Sequence, residues 1–130
     1  MNQLTQGKPL TVFGDGSQTR TFTYVRDIAS VIAQAPLNPR ACGDVFNVGA
    51  DKPYPVRELA ERVRQAMEMR PEIQFLPVRK EVLHAHATHI KVRSLFECPT
   101  ETPLDEGLRR RLTGPKGLGY EKVAYYTRDY

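Results

Sequence analysis
The chain has 130 residues, of which 40% are hydrophobic and 26% charged, proportions that exclude a disordered chain and fit one ordinary globular domain. Its formal net charge is +4, but the positive residues are scattered, so nucleic acid is not an expected partner and a nucleotide diphosphate suits the charge as well. No apolar run of ~18 residues could span a membrane, and Met1 is followed by Asn-Gln-Leu-Thr-Gln rather than a signal peptide, which predicts a cytoplasmic protein without membrane contact.

In chain order, a strand is expected near 10–13, ending in Thr11-Val12-Phe13, and Gly14 and Gly16 then supply the backbone freedom for a sharp turn. The alternating, β-branched and aromatic stretch 21–25 predicts a half-buried strand. Arg20 lies between turn and strand, held by ordered backbone on both sides, and is the first candidate ligand contact. A helix over 27–35 follows, with Asp27 as N-cap and Ile28, Val31, Ile32 and Ala35 on one apolar face. Pro36, Asn38 and Pro39 end it, and Gly43-Asp44 lead into a strand over 45–48.

The next helix, 56–69, places Val56, Leu59, Ala60, Val63, Ala66 and Met67 on one face, while Arg57, Arg62 and Arg64 are expected in solvent. A strand near 73–76 and a helix over 89–96 follow. Thr102-Pro103-Leu104-Asp105 reads as a helix start, with a hydroxyl cap, proline at the first position and acids in the first turn. That helix, 103–112, turns Leu104, Leu108 and Leu112 inward. Arg109, Arg110 and Arg111 complement its C-terminal end, and Gly114-Pro115 stop it. The tyrosines at 120, 125, 126 and 130 follow no period, so 113–130 is set apart as a tail of unassigned role from the region 1–112.

Cys42 and Cys98 stand in no metal or redox spacing and are expected to be reduced bystanders. His84, His86 and His89 lack the cysteine or carboxylate ligands of a zinc site and are read as half-exposed, so no metal site is expected.

Gly7-Lys8-Pro9-Leu10-Thr11-Val12-Phe13-Gly14-Asp15-Gly16 through Arg20-Thr21-Phe22 and Tyr24-Val25-Arg26-Asp27-Ile28-Ala29 resembles the C-terminal half of extended short-chain dehydrogenase/reductase enzymes. These are the NAD-dependent nucleotide-sugar epimerases, dehydratases and decarboxylases. The resemblance continues, in the family's order, through Val45-Phe46-Asn47-Val48-Gly49, Val56-Arg57-Glu58-Leu59-Ala60, Leu76-Pro77-Val78-Arg79 and Thr102-Pro103-Leu104-Asp105-Glu106-Gly107-Leu108. It implies an α/β fold, the substrate-binding part of such an enzyme without its N-terminal Rossmann dinucleotide-binding core. The flavour is closest to UDP-sugar 4-epimerases and UDP-glucuronate decarboxylases.

The family's Gly-x-x-Gly-x-x-Gly turn and Tyr-x-x-x-Lys pair are both absent from the sequence, so no catalytic residue is assigned and no cofactor is expected on this chain. NAD is implied only for a full-length enzyme, and the chain alone is expected to be inactive. Met1-Asn2-Gln3-Leu4 resembles the last turn of a family helix, which suggests a fragment whose Rossmann domain is supplied in cis or in trans. The alternative is a truncated, non-catalytic module that binds a nucleotide sugar or a protein partner, its uncovered apolar face inviting a partner or a homodimer.

The resemblance carries a substrate role onto four residues. Arg20 and Arg79 would close on the nucleotide diphosphate from two sides, as planar guanidiniums do with charge-assisted bonds. Phe22, two residues after Arg20, would wall the nucleotide, and Glu81 would accept a bond from a ribose hydroxyl. The chain departs from the family at Lys80-Glu81-Val82, where glycine and an acid are usual, at Arg26 and at Pro55. These departures leave the sugar undetermined.

Overall fold
The computed structural model describes residues 2–112, a mixed α/β arrangement. A one-turn helix, α1 (Asn2–Thr5), leads into strand β1 (Leu10–Phe13), and strand β4 (Ile73–Leu76) lies parallel beside β1 with Leu10 opposite Ile73 and Phe13 opposite Leu76. Alternation along β1 buries Leu10 and Val12. Helix α3 (Val56–Ala66) lays Ala60 and Val63 over them, and with Leu4 these residues form the first core.

A second sheet has strand β2 (Thr19–Thr21) at its centre, antiparallel to β3 (Pro53–Pro55) and parallel to β5 (His84–Ala85). The prolines of β3 are tolerated because it is an edge strand, where a missing N–H breaks no ladder. Helix α2 (Val25–Gln34) and the short α4 (Ile90–Arg93) build the second core from Val31, Val92 and Phe96, with the Phe46 ring edge-on to Phe96 at 5.3 Å. Helix α5 (Leu104–Leu112) returns Leu108 to the first core.

The turn after β1 links the first core to the second sheet. Gly14 and Gly16 both take positive φ, 62° and 72°. A Cβ on Gly16 would lie 2.8 Å from Arg57 Cβ and 2.9 Å from Val12 Cγ1, so only glycine fits between β1 and α3. This contact lets the carbonyls of Gly16 and Gln18 accept the first amides of α3, Arg57 N at 3.1 Å and Val56 N at 3.0 Å. Helix α3 thus starts without a side-chain cap, and Pro55 at its N-cap is no defect.

Several expected elements are displaced. The strand expected over 21–25 is β2, Thr19–Thr21, and α2 starts at Val25 after an uncapped Tyr24. Asp27 is therefore not the N-cap: it sits inside the first turn, where its carboxylate accepts from Thr102 N and Thr102 Oγ1, each at 2.8 Å. The same bonds use the Thr102 hydroxyl as a donor to Asp27, while the Pro103 carbonyl accepts the Gly107 amide at 2.9 Å in the first i→i−4 bond of α5. Residues 45–48 form no strand, because no neighbouring strand is there to pair with them among the described residues. Ile32, expected inward, is 62% exposed. Arg62 is not simply solvated: it bonds Glu58 at 2.8 Å and Asp105 at 2.5 Å, tying α3 to α5. The helix expected over 89–96 is α4 plus a turn that returns Phe96 N to Val92 O at 2.9 Å. The expected stop at Gly114-Pro115 and the tail 113–130 lie outside the described residues, as does the Leu112 side chain.

Helix α3 also ends three residues before the expected 69. Glu68 adopts φ 53°, its N–H reaching Gln65 O at 3.1 Å and Met69 N–H reaching Arg64 O at 3.1 Å, the double closure of a Schellman end. A side chain in this left-handed position costs roughly 1 kcal/mol relative to glycine. Glu68→Gly is expected to raise the urea unfolding midpoint by an amount equivalent to about 1 kcal/mol, and an unchanged or lower midpoint would contradict this account of the helix end.

Candidate functional site
Because β1 and β4 run parallel and in register, the loops leaving their carboxyl ends lie side by side, the place where open α/β sheets gather ligand-binding groups. The first loop carries Gly14 to Gln18 and the second Pro77 to Leu83. They touch at once: a Cβ on Gly14 would lie 3.3 Å from Val78 Cγ2. Asp15 stiffens the first loop by accepting the Ser17 amide at 2.9 Å, and the Ser17 hydroxyl and amide hold its carboxyl below the usual carboxylate range.

Arg20 leaves β2 toward the second loop. Its Nη1 donates to Thr19 O at 2.7 Å and Leu83 O at 3.3 Å, while Nη2 donates to Val82 O at 2.7 Å and Glu81 Oε2 at 3.3 Å. Arg79, from the same loop, lays its guanidinium over the Phe13 ring, 3.2 Å from the centroid. Arg20, Arg79 and Glu81 therefore converge on one end of the β1–β4 pair.

Phe22 does not join them through strand alternation, because β2 stops at Thr21. It lines a cavity of about 320 Å³ with Tyr24, Leu59, Leu104, Leu108 and Arg111, between the start of α2 and α5. Sequence reasoning missed Gln18, buried to 8% exposure, whose amide nitrogen donates to Phe13 O at 3.0 Å and approaches Glu81 Oε1 at 3.4 Å. A glutamine next to a glycine turn carries no periodic signal. Only the β1–β4 pairing, which brings residue 81 across, shows what it faces.

The histidines separate. His84 on β5 shares a hydrogen bond with the Thr19 hydroxyl at 2.8 Å. His89, expected half-exposed, is buried at 5% and its Nδ1 lies 2.6 Å from Asp51 Oδ1. Asp51 also pairs with Arg93 at 2.7 Å, and Arg93 with Glu101 at 3.0 Å. The ring packs beside Gly49, where a Cβ would approach Nε2 to 3.4 Å. Cys42 and Cys98 are free thiols.

The Gly14–Gly16 turn does not suit a dinucleotide. The helix amides that would face a pyrophosphate, those of Val56 and Arg57, are already accepted by carbonyls of the turn itself. Among the described residues no helix is long and apolar enough to cross a membrane.

Residues 1–49 match the model of the NAD dependent epimerase/dehydratase family. UDP-glucuronic acid decarboxylase 1 of Danio rerio is 32% identical over 111 residues, 85% of this chain and 26% of that protein. UDP-glucuronate 4-epimerase of Thermodesulfobacterium geofontis is 29% identical over 113 residues, 84% of this chain and 34% of that protein. The chain thus spans about a quarter to a third of the length of these curated relatives. Among solved structures, UDP-glucuronic acid 4-epimerase from Bacillus cereus, in complex with UDP-glucuronic acid and NAD, superposes with a TM-score of 0.72. The identity is 28%, covering 82% of this chain and 34% of that one.

The Asp51 network makes a pH prediction. Hydrogen bonds from His89 and then Arg93 hold the Asp51 carboxyl below its usual value in the folded state. Its contribution to stability is present above the unfolded-state pKa of ~3.9 and is lost as pH falls through the lower folded value. Thermal unfolding followed from pH 7 down to pH 2–3 is expected to show a shallower acid decline for Asp51→Asn than for the parent. Parallel declines would remove Asp51 from the acid response.

Proposed function
Given that this chain belongs to the NAD-dependent epimerase/dehydratase family of extended short-chain dehydrogenase/reductases, we propose that it forms the substrate-gripping part of a nucleotide-sugar enzyme, holding the diphosphate of a UDP-linked sugar. The observation that carries this reading is the convergence of Arg20 and Arg79 on the carboxyl ends of β1 and β4. The two guanidiniums reach that end from elements far apart in sequence, as two-sided capture of a diphosphate requires. Each supplies a planar, permanently charged guanidinium suited to phosphate oxygens, Arg20 through the edge where Glu81 sits. Glu81 belongs to the same cluster, and Phe22 walls a separate cavity between α2 and α5, where an apolar ring suits the uncharged part of a nucleotide sugar.

Holding the substrate by its non-reacting end orients the sugar at a reacting centre lying outside this chain. The hydride chemistry would then belong to a Rossmann domain, in cis or in trans, that binds NAD as the Bacillus cereus structure does. Epimerase, dehydratase and decarboxylase chemistry all begin from that same grip. Val25, Ile32, Leu37, Val45 and Ile90 are between 62% and 82% exposed, apolar surface that supports a covering domain.

Isothermal titration with UDP tests the reading. Arg20→Ala is expected to weaken binding by about 2 kcal/mol, roughly thirtyfold, as loss of a charge-assisted contact does. Equal affinity in the variant and the parent, with matching circular dichroism, would sink it.

A further inference from the structure
The donor geometry of Arg20 leaves a diphosphate one way in at the Nη edge. A guanidinium has five N–H groups, four of them on the two Nη atoms. In this structure those four point at Thr19 O, Leu83 O, Val82 O and the Glu81 carboxylate. The carbonyls are backbone atoms flanking the paired strands β2 and β5, so they fix the guanidinium in place. Among the described residues Glu81 is its one side-chain partner, at 3.3 Å through a single oxygen, with the two side chains 27% and 39% exposed. A pair this open and this long is weak.

The second oxygen of Glu81 faces another donor. Gln18 Nε2 approaches Oε1 at 3.4 Å while also donating to Phe13 O at 3.0 Å. The carboxylate therefore occupies a two-pronged anion position, with one oxygen on Arg20 and one beside Gln18, at the end of the β1–β4 pair. Its two oxygens stand where two oxygens of a phosphate group would be received.

We propose that Glu81 is a built-in counter-anion: in the unliganded protein its carboxylate holds the place of the nucleotide's diphosphate between Arg20 and Gln18, and ligand binding displaces it. This rests on Arg20 being a diphosphate ligand. The doubly charged diphosphate wins the exchange because it brings more negative charge to the same donors, while Glu81 moves into solvent. Glu81 is then a competitor of the ligand rather than the acceptor of a ribose hydroxyl. Its presence weakens binding in return for keeping a half-buried guanidinium paired in the empty protein.

The test is titration of the full chain with UDP and with uridine, using the parent, Glu81→Gln, Glu81→Ala and Arg20→Ala, each checked by circular dichroism. Both Glu81 variants are expected to bind UDP about two- to fivefold more tightly than the parent at low salt, the range set by breaking an exposed ion pair, and to leave uridine binding unchanged. Unchanged or weaker UDP binding in either folded Glu81 variant would overturn the proposal, and weaker binding of uridine as well would assign Glu81 to the ribose. If Arg20→Ala weakens UDP while the Glu81 variants gain nothing, the diphosphate grip stands and only the counter-anion role fails. If Arg20→Ala leaves UDP affinity unchanged, the grip itself fails and takes the counter-anion role with it.

Discussion
The close approach at Gly16 is the constraint on which the remaining geometry rests. With no Cβ to hold them apart, Val12 of β1 and Arg57 of α3 meet across the turn, and the turn's carbonyls become the N-terminal cap of the helix. One contact therefore does three things. It seats α3 on the first core, aims the chain into β2 through Gln18, and sets the height at which Arg20 leaves the sheet. A larger residue at position 16 would meet backbone and Cβ atoms rather than the movable end of a side chain, so the strain could not be relieved locally.

From that anchor the site is assembled by neutral groups more than by charged ones. Backbone carbonyls of residues 19, 82 and 83 hold the Arg20 guanidinium, and the Phe13 ring supports Arg79 from beneath. Such partners fix direction without cancelling charge, and the one charged partner at Arg20 among the described residues is Glu81, through a single oxygen at 3.3 Å. Other charged contacts fasten elements to one another: the Arg62 bridge to Glu58 and Asp105, and the Asp51–Arg93–Glu101 chain. Lys91 likewise pairs with Asp44, and Arg110 with Glu106 at 2.7 Å. The arginines that tie elements together and those of the two loops are thus different residues, although the sequence intermixes them.

Local chemistry made the parts with strong periodicity legible. Helix α3 and strand β1 were readable because burial repeats along them at fixed intervals, and the glycine turn because two glycines in three residues mark a tight turn. The strand at 53–55 was hidden by its prolines, which deny a strand except at a sheet edge, and edge position is a property of the whole sheet. The segment 45–48 shows the reverse. Its β-branched and aromatic residues suit a strand, yet a strand exists only with a neighbour, and composition cannot supply one. Asp27 and Thr102 each had the chemistry of a helix cap and used it on each other instead, a long-range pairing that outcompeted two local ones. At the site, the resemblance pointed to Arg20, Arg79 and Glu81 as separate ligand contacts. Their mutual arrangement, with Glu81 on Arg20 and Gln18 behind it, follows from the pairing of β1 with β4 and was written in no single stretch of sequence.

The parallel pairing of β1 with β4 has a consequence in time as well as in space. Gln18 and Glu81 are 63 residues apart, and their loops meet only after β4 has docked alongside β1. Closing so long a loop has an entropic cost that must be met before any long-range contact can offset it, and topologies of this kind fold slowly. During synthesis, β1 and its turn emerge well before the strand that completes their edge. Arg20 then waits with its helix and turn in place but without the carbonyls of residues 82 and 83. The loop cluster therefore closes only once β4 has docked, and before then β1 has no strand on either edge among the described residues, leaving the kind of surface that chaperones and neighbouring chains engage.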